Sequence, residues 1–288
     1  MQTVVINKIS IGPRQPLALI AGPCVLESRD MAFRIAEEVC RITADLGMPF
    51  IFKGSFDKAN RTSLTSFRGH GLYEGLEILA AVRQEFQVPV CTDFHEPDQA
   101  GLIARVVDLL QIPAFLCRQT DMLLAAAETG KPTTVKKGQF LAPWDMRHAV
   151  QKFTAGGNQQ LLLCERGATL GYNNLVVDLR AFPVMRALGY PVVFDATHSA
   201  QLPGGAGDST GGQREFIPAL IRGAVAVGVD ALFMEVHPEP EKGLSDATTM
   251  WPLAHLREVL TMAQRIDAVG GRREETVGVS ECGSVGVE

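Results

Sequence analysis

The residues of this 288-residue chain that could do chemistry recur just after short apolar runs. One group is basic: Lys53, Lys58, Arg61, Arg118, Lys136 and Arg166 each stand at or beyond the end of such a run. The whole chain carries a net charge of −5, so cations gathered at one place would focus a positive field and favour a polyanionic ligand. Arginine's fork suits phosphate and carboxylate, and lysine adds compact point charges. Any one of these cations reads more simply as a solvated loop residue; the repetition carries the argument. The second group is Cys24, His198, Glu235 and Asp246, with His95 and His237 outside it. Thiolate, imidazole and carboxylate together suit zinc, iron(II) or manganese. No local spacing ties the four, however. Taken alone, Cys24 reads as a small buried hydrophobe and His198 as a hydrogen-bonded structural residue.

Either group needs a scaffold that brings distant segments together. Short apolar runs occur at 17–22, 49–53, 88–92, 107–112, 132–136, 160–164, 191–195 and 231–235. Amphipathic stretches follow them at 30–46, 72–86, 97–105, 120–129, 144–155, 174–188, 213–227 and 251–267. Ser28 with Asp30, and Pro97 with Asp98, supply helix-entry signals. The unbroken apolar character of the runs suits parallel strands buried on both faces. Eight such βα units close most simply into an α/β fold of the (β/α)8 TIM-barrel type. An open doubly wound sheet is the competing layout, but the first turn, Ala21-Gly22-Pro23-Cys24, is no GxGxxG. In a barrel the C-terminal strand ends form the chemical face, and both residue groups fall there.

Residues 2–10 alternate weakly and predict an extra strand over one end of the barrel. Residues 1–269 form one catalytic domain, and 270–288, without sustained apolar period, form a disordered tail. The Gly-rich stretch 199–212 reads either as a mobile lid or as an ordinary loop. Lysine and arginine number 27 against 32 acids, which argues against a nucleic-acid binder or a membrane-surface protein. A hydrophobic content of 46% excludes disorder, and six cysteines without CxxC pairs are no disulfide scaffold. The N-terminus lacks a basic region followed by an apolar one. The expectation is a soluble cytoplasmic protein.

Seven strings then carry a resemblance: AGPCVLES (21–28), FKGSFDKANRTS (52–63), TDFHE (92–96), KKGQF (136–140), ERGATLGY (165–172), FDATHS (194–199) and MEVHPEPEKGLSDA (234–247). In this order, from about residue 4 to 268, the chain resembles the 3-deoxy-D-manno-octulosonate 8-phosphate (KDO-8-phosphate) synthase family. The resemblance implies a (β/α)8 barrel, a homotetramer, and a transferase of lipopolysaccharide biosynthesis. It condenses phosphoenolpyruvate with D-arabinose 5-phosphate and water, giving KDO 8-phosphate and inorganic phosphate. It also implies roles. Lys58, Lys136 and Arg166, with Lys53 close by, hold the phosphate and carboxylate of phosphoenolpyruvate. Asn60, Arg61 and Thr62 match the pentose-phosphate segment, where serine is commoner than Thr62. Arg118 matches an arginine that reaches the sugar phosphate of a neighbouring subunit, and Asp93 and Gln111 match further pocket residues.

The family has a subclass with cysteine in the first turn that needs a divalent metal, and one with asparagine there that needs none. Cys24 and the string LSDA (244–247) resemble the first. The implied ligands are Cys24, His198, Glu235 and Asp246, holding one zinc, iron, manganese or similar ion and no organic cofactor. The implied catalytic residues are Cys24, His198, Asp246 and Lys136. The sister family, 3-deoxy-D-arabino-heptulosonate 7-phosphate synthase, uses erythrose 4-phosphate and typically reads KPRTS where this chain reads KANRTS at 58–63. A catalytically idle sugar-phosphate-binding barrel and a Schiff-base aldolase through Lys53 or Lys136 are the remaining alternatives.

Overall fold

A computed structural model describes residues 1–61, 63–205 and 211–270. Thr62, the centre of the Gly-rich loop (206–210), and the tail with Cys282 lie outside the described residues, together with the expectations attached to them.

The chain opens with strands β1 (Val4–Ile6) and β2 (Ile9–Ile11), paired antiparallel with Ile6 opposite Ile9. The sequence predicts one strand here. The structure has two, because Asn7 takes a left-handed conformation (φ 55°) that asparagine tolerates and that turns the chain back. There follow β3 (Ala18–Gly22), β4 (Phe50–Lys53), β5 (Val90–Asp93), β6 (Leu109–Ile112), β7 (Thr133–Lys136) and β8 (Leu161–Glu165). After a short pair, β9 (Ala168–Thr169) and β10 (Leu175–Val176), come β11 (Val192–Asp195), the pair β12 (Gln201–Leu202) and β13 (Gly211–Gly212), then β14 (Ala231–His237) and β15 (Trp251–Pro252).

Strands β3 to β8, β11 and β14 pair in parallel around a ring, and β11–β14 and β14–β3 close it. This is the (β/α)8 barrel, and its strands match the apolar runs to within two residues at either end. Alternation along each strand sorts side chains between two layers. Ala18 and Ile20 of β3, Ile51 of β4, Cys91 of β5, Leu109 of β6 and Phe233 of β14 fill the interior. Leu19, Phe52, Val90, Leu110, Leu163 and Phe194 pack outward against the helices. The hairpin seals the floor: Val4, Ile6 and Ile11 are fully buried in the interior cluster.

The helices are α1 (Arg29–Leu46), α2 (Leu72–Phe86), α3 (Gln99–Ile103), α4 (Thr120–Glu128), α5 (Met146–Ala155), α6 (Ala181–Arg186), α7 (Ile217–Val227) and α8 (Leu256–Val269). α1 shows how local chemistry sets them. Ser28 Oγ accepts the Met31 N–H at 3.1 Å, Ala32, Ile35, Ala36, Val39 and Ile42 form the buried stripe, and Gly47 ends it at φ 61°. Four helices are at least three residues shorter than the sequence predicts, among them α7, which begins only after a 3-10 turn at Arg214–Phe216. The stretch 174–188 yields only Ala181–Arg186, because Leu175 and Val176 pair with β9 instead. α3 spans only 99–103, and α8 begins at Leu256, since Trp251 and Pro252 extend beside β14. Among the described residues no helix is long and apolar enough to cross a membrane.

Candidate active site at the barrel mouth

The C-terminal strand ends open into a cavity of about 350 Å³, within the usual range for small-molecule sites. Lys53, Lys58, Asn60, Arg61, Asp93, Gln111, Lys136, Arg166, His198, Glu235 and Asp246 all line it. Each strand end delivers its residue because strand-end side chains of the inward parity point up the barrel axis.

Lys53, at the end of β4, is buried. Its Nζ donates to Ser55 Oγ at 2.6 Å and to the Cys24 carbonyl at 3.3 Å, and stands 3.3 Å from Glu235 Oε1 and 3.9 Å from Asp93 Oδ1. Lys58 Nζ lies 3.7 Å from the same Glu235 oxygen. Close passage of β3 beside β4 makes this possible: a Cβ on Gly22 would lie 1.9 Å from the Lys53 carbonyl oxygen, so only glycine fits. Lys136, ending β7, pairs with buried Asp195 and lies 3.5 Å from the centre of the Phe233 ring. Arg166 follows β8 and is 4% exposed. Its Nη2 donates to Gln201 Oε1 at 2.7 Å, while Nη1 is buried without a partner. Burial pulls this guanidinium below its ordinary pKa.

The second group gathers beside the cations. One donor atom each from Cys24, Glu235 and Asp246 lies within 4.8 Å of the other two. The Cys24 thiol donates to Asp246 Oδ2 at 3.3 Å, and His198 Nε2 stands 3.6 Å from that oxygen and 3.7 Å from Glu235 Oε2. Asp246 holds a left-handed backbone conformation (φ 47°), uncommon for a non-glycine residue and costly enough to mark a constrained position. Burial, with the charges of Asp246 and Glu235, pushes the Cys24 thiol well above its ordinary pKa. Glu235 Oε2 is buried with no hydrogen bond. A sulfur, an imidazole and two carboxylates converging with an unsatisfied buried oxygen form a donor set that fits a divalent ion of the zinc–iron–manganese kind.

Asp195 organises both groups. Its Oδ2 takes the Lys136 ammonium and lies 2.7 Å from His198 Nδ1, and its Oδ1 accepts the His198 backbone N–H at 2.9 Å. Burial alone would raise the Asp195 carboxyl, but the charges of His198 and Lys136 outweigh it and hold it well below the usual carboxylate range. The ring is thereby oriented with Nε2 toward Glu235 and Asp246.

Two of the cations after strand ends do not join. Arg118 is exposed and does not line the cavity, whereas Pro113, Ala114 and Phe115 of the turn before it do. Lys137 turns away from the mouth, its Nζ satisfied by the carbonyls of Gly138, Leu141 and Gly167 and by Glu165. Conversely, Gln201 and Ser66 line the cavity although nothing in their sequence context singles them out, and so do Gln139 and Ser245, which fall within the KKGQF and LSDA strings but to which the resemblance assigns no role. His95 lines it as well, 3.5 Å from Asp93 Oδ2, whereas buried His237 sits behind it facing Glu27.

Comparison with known proteins gives the same answer from another direction. Residues 2–269 match the DAHP synthetase I family. A relative from Cyanothece sp., named 2-dehydro-3-deoxyphosphooctonate aldolase, is 61% identical over 252 residues, covering 88% of this chain and 92% of the relative. Relatives of the same name from Trichlorobacter lovleyi and Acidithiobacillus ferrooxidans are each 58% identical, covering 92% and 90% of this chain and 97% and 92% of their own. With the closed barrel and the furnished mouth already in place, a match across nearly all the described residues makes the chain a member of the DAHP synthetase I family.

Proposed function

We propose that this chain condenses phosphoenolpyruvate with D-arabinose 5-phosphate and water to give 3-deoxy-D-manno-octulosonate 8-phosphate and inorganic phosphate, as the name of its relatives implies. The observation that carries the reading is the gathering of Lys53, Lys58, Arg61, Lys136 and Arg166 in one cavity beside the Cys24–Glu235–Asp246 cluster. Two polyanions must be brought together for C3 of phosphoenolpyruvate to attack the sugar aldehyde, and these cations screen their repulsion. Holding both in attack geometry removes about 7–11 kcal/mol of entropic and solvent-reorganisation cost.

The buried cations Lys53, Lys136 and Arg166, with Lys58, take the phosphate and carboxylate of phosphoenolpyruvate, and the free Nη1 of Arg166 supplies an unmade hydrogen bond for it. Asn60 and Arg61, nearer the rim, take the pentose phosphate, with Thr62 assigned to the same phosphate by the resemblance alone. Asp93 and Gln111 each keep a buried oxygen without a partner and accept from substrate hydroxyls. A divalent ion held by Cys24, His198, Glu235 and Asp246 would supply Lewis acidity toward the aldehyde oxygen or the added water. His198, fixed by Asp195, is then a ligand rather than a general base. Arg118 serves the neighbouring subunit's sugar phosphate in a homotetramer, in keeping with its position outside its own cavity.

The test is a steady-state assay of the purified protein with arabinose 5-phosphate and with erythrose 4-phosphate. If Arg61 anchors the phosphate, the shorter sugar cannot reach both anchor and donor. Loss of one charge-assisted contact, about 1.5–3 kcal/mol, gives at least a roughly tenfold preference in kcat/KM for the longer sugar. Comparable turnover of both would move the assignment to the erythrose 4-phosphate reaction.

A further inference from the structure

The loop that carries Asp246 also touches the residue placed on the acceptor. Ser245 is buried, and its Oγ is shared by two groups far away in sequence. Cys24 Sγ lies 3.1 Å from it, within reach of the Ser245 hydroxyl hydrogen, and Arg61 Nη1 donates to the same oxygen. Arg61 Nη2 reaches the adjacent Leu244 carbonyl at 3.5 Å. The loop itself is tied down: Glu27 Oε1 accepts the Leu244 N–H at 2.9 Å, and the Asp246 carbonyl accepts the N–H groups of Thr249 and Met250 at 3.0 Å. One oxygen therefore joins a residue of the ligand cluster to an arginine at the cavity rim.

We propose that Ser245 is a positioning residue that couples acceptor binding to metal binding, an inference that rests on the reading of Arg61 as the anchor of the acceptor phosphate. A hydroxyl has two acceptor lone pairs and one donor, so it can serve both neighbours at once. The contacts to Ser245 and Leu244 occupy two of the five N–H groups of Arg61 and leave the others for a phosphate. Acceptor binding thus adds to the Arg61–Ser245 contact and does not replace it. Fixing Arg61 narrows the positions open to the Ser245 hydroxyl, and through it those of the Cys24 sulfur. The ordering cost is borne once for two ligands, so the coupling is positive. It is also reciprocal: whatever factor the sugar phosphate adds to metal affinity, the metal adds to sugar-phosphate affinity.

The experiment titrates the full-length metal-free protein with Mn²⁺ by calorimetry, with and without saturating arabinose 5-phosphate. Phosphoenolpyruvate is omitted so that no turnover occurs. The unmutated protein should bind Mn²⁺ about fivefold or more tightly with the sugar phosphate present. In Ser245→Ala that factor should fall below about twofold, and Ser245→Thr, which keeps the hydroxyl, should restore it. The backbone bonds that tie the loop down do not use the Ser245 side chain, so the alanine variant should fold. Undiminished coupling in Ser245→Ala, absent coupling in an unmutated protein that does bind the sugar phosphate, or loss of coupling in Ser245→Thr would each overturn the proposal. A protein that binds no arabinose 5-phosphate at all would overturn the functional reading, and this inference with it.

Discussion

Replacing Arg166 by methionine should cost function while leaving stability nearly untouched. The guanidinium is 4% exposed, with one nitrogen bonded to Gln201 at 2.7 Å and the other unpartnered. An unsatisfied buried donor costs about 1–3 kcal/mol, similar in size to what its charged bond to Gln201 returns, about 1.5–3 kcal/mol. Methionine keeps much of the volume and removes both terms, so Tm should move by no more than about 4 °C. Phosphoenolpyruvate binding should suffer far more. Truncating one partner of a desolvated charge pair costs about 2–5 kcal/mol, or roughly 30- to 5,000-fold in kcat/KM. Steady-state kinetics with each substrate varied in turn, beside a melting curve with and without phosphoenolpyruvate, read both effects. At about 100 times Kd, phosphoenolpyruvate should stabilise the unmutated protein by about 2.7 kcal/mol, and the variant at that concentration by little. Equal losses toward donor and acceptor, or a Tm fall of more than about 10 °C, would refute the reasoning.

Four further outcomes are expected. EDTA should abolish turnover and Mn²⁺ restore it, and Cys24→Ala should lose tight metal binding in calorimetry while keeping its far-UV circular dichroism; full activity in a demonstrably metal-free preparation would contradict the donor set. Cys24→Asn should retain partial activity that EDTA does not affect, measured in the same assay. Arg61→Ala should shrink the preference for arabinose 5-phosphate over erythrose 4-phosphate. Asp195→Ala strands the buried Lys136 ammonium, so it should lose about 3–5 kcal/mol of stability in denaturant unfolding, more than Arg166→Met does.

Much of the barrel was legible because its strands are buried on both faces and so read as unbroken apolar runs such as Leu161–Cys164. What hid the details were local alternatives of similar strength. Leu175 and Val176 suit a helix face as well as a strand, and pairing with Ala168 and Thr169 decides between them. Asn7, flanked by isoleucine on one side and Lys8-Ile9 on the other, was a turn signal inside a short alternating stretch. The site was legible to the extent that strand ends announce themselves. Arg118 follows a run like the others, yet its side chain is exposed and Pro113, Ala114 and Phe115 form the cavity wall there instead. Asp195, three residues before His198 in a tight turn, carries a spacing from which its support of that ring can be read. Ser245 had none: its partners Cys24 and Arg61 are 221 and 184 residues away, and a single hydroxyl carries no pattern.

The hairpin under the barrel has a kinetic corollary. With Val4, Ile6 and Ile11 plugging the floor, traffic through the mouth runs along a single axis. The anchors along that axis differ in depth: Lys53, Lys136 and Arg166 are buried, whereas Arg61 is half-buried and Asn60 exposed. A vessel with one opening and two stacked berths fills from the bottom and empties from the top. The lower guest must arrive first, and it cannot leave while the upper berth is taken. On the proposed roles, the donor's residence lengthens as the solution fills with acceptor, because the acceptor, once bound, stands between the enol ester and the mouth.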